Sequence, residues 1–433
     1  MTARDVARRV LDRVDKGGAW ATLALDGELV RSGLDERDRR LASELVYGVL
    51  RNRARIDRAL TAHADLKRSP PRVVTALRVA AYQLVFLDRV PGYAAVDDAV
   101  NAARAVGGAK LAGFCNAVLR KLATAGEPAL PGDPRARLEI EHSLPAWIAD
   151  ELVMAAERDD RPSEAAASVG DRSIELAAAF AQPAPLIARV NALRATREAV
   201  IEQLQAAGVT ATPVAAAPMA IALEGLGDPA RSAGFRAGLW TVQDTGAQLV
   251  GLVAAPRAGQ RILDACASVG GKATHLAELS GDAARITAAD QSQTKLALAA
   301  ETARRLGITS LAPVACDLLD PAAPLAAAYD LIVLDAPCTG LGVLRRHPDA
   351  KWRIKPGDVA RLAQVQRELL DSVVPRLAPG GALIYSVCTF TRAEGPDQIA
   401  ALVERTGLRL VSEQRTWPPE ADAFYIARLE RDQ

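Results

Sequence analysis

The chain has 433 residues, half of them hydrophobic and 24% charged, with a formal charge of +1. That length gives two or three domains with real cores, and the composition excludes disorder over most of the chain, since disorder needs low hydrophobicity and high net charge. No charge-free run of 18 apolar residues occurs, which excludes a helical membrane span.

The first residues, MTARDVARRVLDRVDKGG, lack a continuous apolar stretch and read as an amphipathic helix rather than a signal peptide. Five widely spaced cysteines (Cys115, Cys266, Cys316, Cys338 and Cys388) do not fit a disulfide framework, so a reducing, cytoplasmic setting is expected. Without a CxxC pair, and with four scattered histidines, no metal site is expected. The near-zero charge hides an asymmetry: residues 1–130 are basic and the remainder slightly acidic. A basic N-terminal unit suits nucleic acid, and arginine, which outnumbers lysine 45 to 8, offers a bidentate fork for phosphate.

From residue 2 to about 125 the pattern is helical. LASELVYGVLRNRARIDRAL (41–60) and PRVVTALRVAAYQLVFL (71–87) repeat apolar residues at spacings of three and four. TAGEPALPGDPRAR (124–137) gathers prolines and glycines and is the linker candidate. From 138 to 235 the pattern fits a small α+β subdomain, with a strand in PAPLIARVNAL (183–193), a helix beginning near Thr196 and short strands in VTATPVAAAPMAIALEG. From 236 to 433 the rhythm is that of a Rossmann-like α/β domain. Apolar runs at 261–267, 285–290, 311–317, 329–337 and 380–390 alternate with helical stretches at 294–307 and 359–377, which predicts a parallel sheet. AFYIARLE (423–430) is expected to add an antiparallel edge strand.

Ligands of open α/β sheets sit at the carboxyl ends of the strands, so the residues there carry the chemistry. DACASVGGKATH (264–275) follows a strand and opens a helix, and Gly270-Gly271 lets backbone approach a ligand closely. Asp290 ends the next strand, twenty residues on, where an acid accepts hydrogen bonds from ribose hydroxyls, and Asp317 ends the third, where an acid can face an adenine amino group. The pattern describes a nucleoside-containing cofactor with little need of a phosphate cradle. Asp335, Pro337 and Cys338 lie at the mouth of a further strand, and Cys388 at that of another. Cysteine is a strong nucleophile once its thiolate is populated. Cys115, Cys266 and Cys316 read as packing residues. Arg345, Arg346, Lys351, Arg353 and Lys355 surround Trp352, a pattern that suits either a phosphate backbone with a stacked base or a solvated loop.

DACASVGGK, DAPCTGLGVLRRHPDAKW and YSVCT resemble the signature motifs of RNA cytosine-5 methyltransferases of the NOL1/NOP2/Sun family, and GLWTVQDTGAQL and RVN resemble its upstream segments. ASELVYGVLRNR, PGYAAVDDAVNAAR and FCNAVLRK resemble a NusB-like RNA-binding domain. The resemblance spans nearly the whole chain. It implies three parts: a NusB-like all-α domain at 1–130, the small α+β subdomain at 138–235, and an S-adenosylmethionine-dependent methyltransferase domain at 236–433. It also implies Cys388 as nucleophile on carbon 6 of cytosine, Cys338 as the group assisting product release, Asp335 on the base edge, and Lys272 on the base or on Asp335. The cofactor would lie on Cys266, Ala267, Ser268, Val269, Gly270, Gly271, Lys272, Asp290, Asp317 and Asp335. The implied partner is RNA, most naturally small-subunit rRNA, read by a monomer with neither membrane nor metal. The chain departs from the family pattern at Ser268-Val269, Ala273, Val387 and Gly395, where Ala-Pro, Thr, Thr and Asn are usual. These departures motivate the rival reading, a non-catalytic RNA-binding factor on a degenerate methyltransferase fold.

Overall fold

A computed structural model describes residues 1–88, 90–158 and 168–433. The first elements are α1 (Ala3–Gly17), α2 (Ala21–Ser32), α3 (Glu36–Arg51), α4 (Arg53–Thr61), α5 (Pro71–Phe86), α6 (Gly92–Ala125), α7 (Pro134–Ile140), α8 (Ala146–Ala156) and α9 (Val169–Phe180). Next come β1 (Leu186–Val190), α10 (Arg197–Ala206), β2 (Thr210–Pro213), β3 (Ala220–Glu224), α11 (Ala233–Arg236), β4 (Trp240–Val242) and α12 (Thr245–Ala254). The remainder runs β5 (Arg261–Ala265), α13 (Gly271–Leu279), β6 (Arg285–Asp290), α14 (Gln293–Leu306), β7 (Leu311–Ala315), β8 (Tyr329–Asp335), α15 (Ala350–Arg353), α16 (Pro356–Val373), β9 (Leu377–Val387), α17 (Pro396–Thr406), β10 (Arg409–Arg415) and β11 (Tyr425–Glu430).

The chain forms two compact units. One is Met1–Gln182 together with Leu344–Ile354, and the other is Pro183–Val343 together with Lys355–Gln433. The first unit is all-α, as expected for residues 1–130, and the described residues of 138–182, expected to open the α+β subdomain, belong to it as α7, α8 and α9. Thr2 caps α1 through a capping box with Asp5, and α1 then turns Val6, Ala7, Val10, Leu11 and Val14 inward at helical spacing. They pack with Leu45, Val46, Val49 and Leu77 into one core. Pro71 starts α5 at the position where its missing N–H costs nothing. α6 breaks at Gly107-Gly108, which leave helical geometry. The proline-rich stretch at 124–137 carries a turn and then the start of α7, capped by Asp133.

The second unit holds two sheets. In the smaller, β2-β3-β1-β4, every neighbouring pair is antiparallel, and α10, capped by Thr196, packs Val200 and Leu204 against Val190, Ile221 and Trp240. In the larger the order is β10-β11-β9-β8-β5-β6-β7. The five strands from β9 to β7 are mutually parallel, as the alternating pattern predicts. Successive residues bury on opposite faces: Leu263 packs toward Leu370 of α16 and Leu402 of α17, and Ile262 toward α12, α13 and α14. The expected edge strand near 423–430 is antiparallel, but it is second from the edge. β10 flanks it, an exposed strand whose residues give no apolar alternation. Among the described residues no helix is long and apolar enough to cross a membrane.

Candidate active site

Parallel strands all end on one side, so β5, β6, β7, β8 and β9 deliver their following residues to a common edge of the sheet. There lies a cavity of about 420 Å³, lined by Cys266, Ser268, Asp290, Cys316, Asp335, Cys338 and Cys388. Leu318, Leu319, Val365 and Leu369 give it an apolar wall, and Lys295 a cation.

The turn from β5 into α13 forms one rim. Cys266, Ser268 and Gly270 all take left-handed backbone angles (φ 64°, 52° and 80°). For the first two residues this is strained, and such strain concentrates at ligand-binding turns. A side chain at Gly270 would put its Cβ 2.7 Å from the Ala299 Cβ, so glycine is required by space as well as by angle. Asp290 ties the turn to the end of β6, accepting from the Ser268 amide at 2.9 Å and from the Ser292 amide at 2.8 Å. Beneath the turn, fully buried Arg189 of β1 donates to the Gly271 carbonyl (2.9 Å), to Glu278 (2.7 and 2.9 Å), to Thr274 (3.1 Å) and to Gln243. A charge with all its donors matched offsets its desolvation, and here it braces the β5–α13 turn from the neighbouring sheet.

The second rim comes from β8 and β9. Asp335 accepts from Lys272 Nζ at 2.5 Å on one oxygen and from the Ser386 hydroxyl at 2.7 Å on the other. The Cys338 and Cys388 sulfurs lie 3.4 Å apart. That hydrogen bond, reinforced by burial, pushes the Cys338 thiol well above its usual range. Burial also pushes Cys266 up to about 12 and the fully enclosed Asp264 up to about 7.

The structure therefore gathers Cys266, Ser268, Asp290, Asp335, Cys338 and Cys388 around one cavity, with Lys272 on Asp335. Ala267, Gly270 and Gly271 shape the turn without lining the cavity, Val269 points outward at 47% exposure, and exposed Asp317 caps its own turn through the Leu319 amide. Cys115 is a core residue, and Cys266 and Cys316 pack against the core of the larger sheet while also lining the cavity. Ser386, Lys295, Val365 and Leu369 were missed. Ser386 had a signal, because residues two apart on a strand share a face and Cys388 follows it by two; α16 had none. Val387 and Ala273 are fully buried in the cores, so two departures from the family pattern lie away from the cavity. A side chain at Gly395 would press on the Tyr425 ring at 3.1 Å.

The basic cluster around Trp352 is corrected. Lys351 and Arg345 are buried at 4% exposure; Lys351 Nζ donates to the Arg51 carbonyl (2.8 Å) and the Trp352 indole to the Leu50 carbonyl (2.7 Å). Arg353 lies 3.9 Å over the Trp20 ring. Lys351, Trp352 and Arg353 are thus held within the helical unit, while Lys355 is exposed.

Comparisons with known proteins bear on the family and the fold. The model of the 16S rRNA methyltransferase RsmB/F family matches residues 251–430, that of the NusB family residues 1–124, and that of the RsmF/B-like ferredoxin-like domain residues 164–228. The chain is 35% identical to ribosomal RNA small subunit methyltransferase B of Vibrio cholerae over 410 residues, covering 91% of this chain and 90% of that one. With the protein of the same name from Salmonella agona it shares 33% over 438 residues, 98% of each. Among solved structures, the crystal structure of PH0851 superposes over 100% of this chain and 99% of its own, with a TM-score of 0.81 at 22% identity.

Proposed function

The chain belongs to the RsmB/F family of 16S rRNA methyltransferases, and from that premise we propose that it methylates carbon 5 of a cytosine in 16S rRNA through a covalent cysteine adduct. The observation that carries the chemistry is the pair of sulfurs 3.4 Å apart beside the Lys272–Asp335 pair, at the mouth of one cavity.

The cofactor of this reading is S-adenosylmethionine, and the residues present fit it. The left-handed turn brings Cys266 and Ser268 to the cavity rim, Asp290 offers carboxylate oxygens for ribose hydroxyls, and the apolar wall of Leu318, Leu319, Val365 and Leu369 suits a flat base. S-adenosylmethionine bound there supplies the electrophilic methyl group. Ala267, Val269, Gly271, Lys272 and Asp317 complete the proposed cofactor site through the turn and the β7 end.

Carbon 5 of cytosine is a weak nucleophile until a thiolate adds to carbon 6. Cys388 supplies that thiolate. Asp335, held by Lys272 and Ser386, shares a proton with the base edge, which neutralises the negative charge that develops there as the adduct forms. Cys338, kept protonated by its neighbour and by burial until Cys388 is engaged in the adduct, assists release of the product, the step in which the carbon 5 proton is lost to a base and the Cys388–carbon 6 bond breaks to return the thiolate. Residues 1–130 grip the RNA, 138–235 brace the cofactor turn through Arg189, and 236–433 carry the reaction. The protein works as a monomer in the cytoplasm without a metal, on a base exposed in a loop or flipped from its helix.

Replacing Cys388 by alanine is expected to abolish methyl transfer to an unmethylated small-subunit rRNA transcript while the cofactor still binds. A C388A protein transferring at the normal rate would overturn the nucleophile, and failure of the wild-type chain to bind S-adenosylmethionine would overturn the enzymatic reading. Mapping 5-methylcytosine in rRNA from a strain lacking this chain is expected to show one site lost.

A further inference from the structure

Behind the two thiols, away from the cavity, sits a carboxylate to which the chemistry above assigns nothing. Glu394 follows β9 and is completely buried. One of its oxygens accepts from the Thr339 amide at 2.7 Å and from Gln366 Nε2 at 3.2 Å. The other accepts from three hydroxyls: Thr339 at 2.5 Å, Thr391 at 2.7 Å and Thr389 at 3.2 Å. Thr339 is the residue after Cys338, and Thr389 the residue after Cys388. Their hydroxyls are 3.0 Å from each other. Gln366 of α16 extends the same network to the Pro337 carbonyl at 2.9 Å, on the other side of Cys338. Glu394 is itself fixed, because the Tyr385 hydroxyl donates to its carbonyl at 2.6 Å.

A buried carboxylate met by neutral donors alone is costly to enclose, and among the described residues no cation pairs with Glu394. An apolar residue would hold the loops together at lower cost. What a carboxylate adds is two acceptor atoms at a fixed spacing, able to bind both loops at once from one rigid point.

We propose that Glu394 is a positioning residue: it fixes the spacing and orientation of the Cys338 and Cys388 thiols by hydrogen-bonding the residue that follows each. It touches neither substrate nor cofactor, and the proposal rests on the cysteine chemistry proposed above. Its charge, after the Cys388 hydrogen bond and burial, adds to what keeps the Cys338 thiol protonated. A positioning role places the loss in turnover and not in RNA binding.

The test uses the full-length chain. Diamide oxidises two neighbouring thiols to a disulfide and is itself reduced to the hydrazine, so its rate of linking Cys338 to Cys388, read by peptide mass mapping, reports thiol spacing without any catalysis. E394A is expected to slow the link about 10-fold and to lower kcat by about 10- to 100-fold, with KM for an unmethylated rRNA transcript within about two-fold. E394Q, which keeps one acceptor, falls between wild type and E394A. Thr339→Val, which deletes one hydroxyl and leaves the carboxylate, slows the link by less, and it serves with E394Q if E394A does not fold. Cross-linking at the wild-type rate, or an unchanged kcat, in the folded variants overturns the proposal. A fully active C388A protein would instead sink the nucleophile reading, while the cross-linking rates still judge the spacing.

Discussion

Lys272 is an ammonium enclosed between carboxylates, and its electrostatics decide what Asp335 can do. Burial alone pulls such a group downward, but the charge and hydrogen bond of Asp335, followed by the charge of Asp264, outweigh it, and the net shift is upward. Lys272 therefore stays charged across the working pH range. It anchors one Asp335 oxygen while Ser386 holds the other, leaving the carboxylate a single orientation toward the thiols. Replacing Lys272 by methionine keeps the length of the side chain and removes the charge. A hydrogen bond to a charged partner contributes about 1.5–3 kcal/mol, so single-turnover methyl transfer is expected to fall about 10- to 100-fold. A K272M protein with a transfer rate within about two-fold of wild type would show that Asp335 needs no cation.

At the scale of elements, the site depends on how tightly two short loops are stitched together. The turn at Leu341–Val343 runs against the Cys388 loop: the Gly342 amide donates to the Cys388 carbonyl at 2.9 Å, and its carbonyl accepts from the Ala423 amide at 3.0 Å. A Cβ at Gly342 would lie 1.9 Å from the Ala423 carbonyl oxygen and 2.8 Å from that of Cys388. Both are backbone atoms, so the clash is relieved only by moving backbone at this junction of the turn, Ala423 and the strand end that carries the thiol. G342A is expected to lose about 1–3 kcal/mol of stability or more, and most of its activity. Gly357, in the first turn of α16 with nothing near its Cβ position, is the control, and G357A is expected to match wild type in both. Thermal unfolding beside a methyl-transfer assay separates them. Of these elements the alternation of β5 to β9 with their helices was legible in the sequence, because buried parallel strands write themselves as branched apolar runs. β10 was not, since an edge strand with both faces exposed needs no apolar pattern. The chemical residues at strand ends were legible for the same reason as the strands. Glu394, Gln366 and Arg189 were not, because nothing local in the sequence says which loops a buried charge will bridge.

For the whole molecule, the assignment of Leu344–Ile354 to the helical unit is what sequence order conceals. The cations there looked like a surface for phosphate, and their burial follows from tertiary partners some three hundred residues earlier, such as the carbonyls of Leu50 and Arg51. Burial lowers Lys351 from 10.5 to about 7, so the amine is half-neutral inside the fold at physiological pH. A lysine depressed in the folded state acts opposite to one that gains an ion partner. Below pH 7 both folded and unfolded chains hold the proton, and the fold bears the full cost of an enclosed charge. Between 7 and 10.5 the unfolded chain holds more protons than the folded one, so stability rises with pH over that window and levels off above it. One pKa unit is worth about 1.4 kcal/mol, so about 2–3 kcal/mol is recovered by pH 9. Lys351→Met removes the titration and leaves the other groups common to both proteins. Denaturant unfolding of the two proteins at pH 6.5 and pH 9 is expected to show wild type gaining that amount relative to K351M as pH rises. An offset that does not change with pH would mean that the Lys351 amine keeps its proton inside the fold, and that the carbonyls of Arg51 and His142, at 2.8 and 3.3 Å, are enough to hold a charged lysine there.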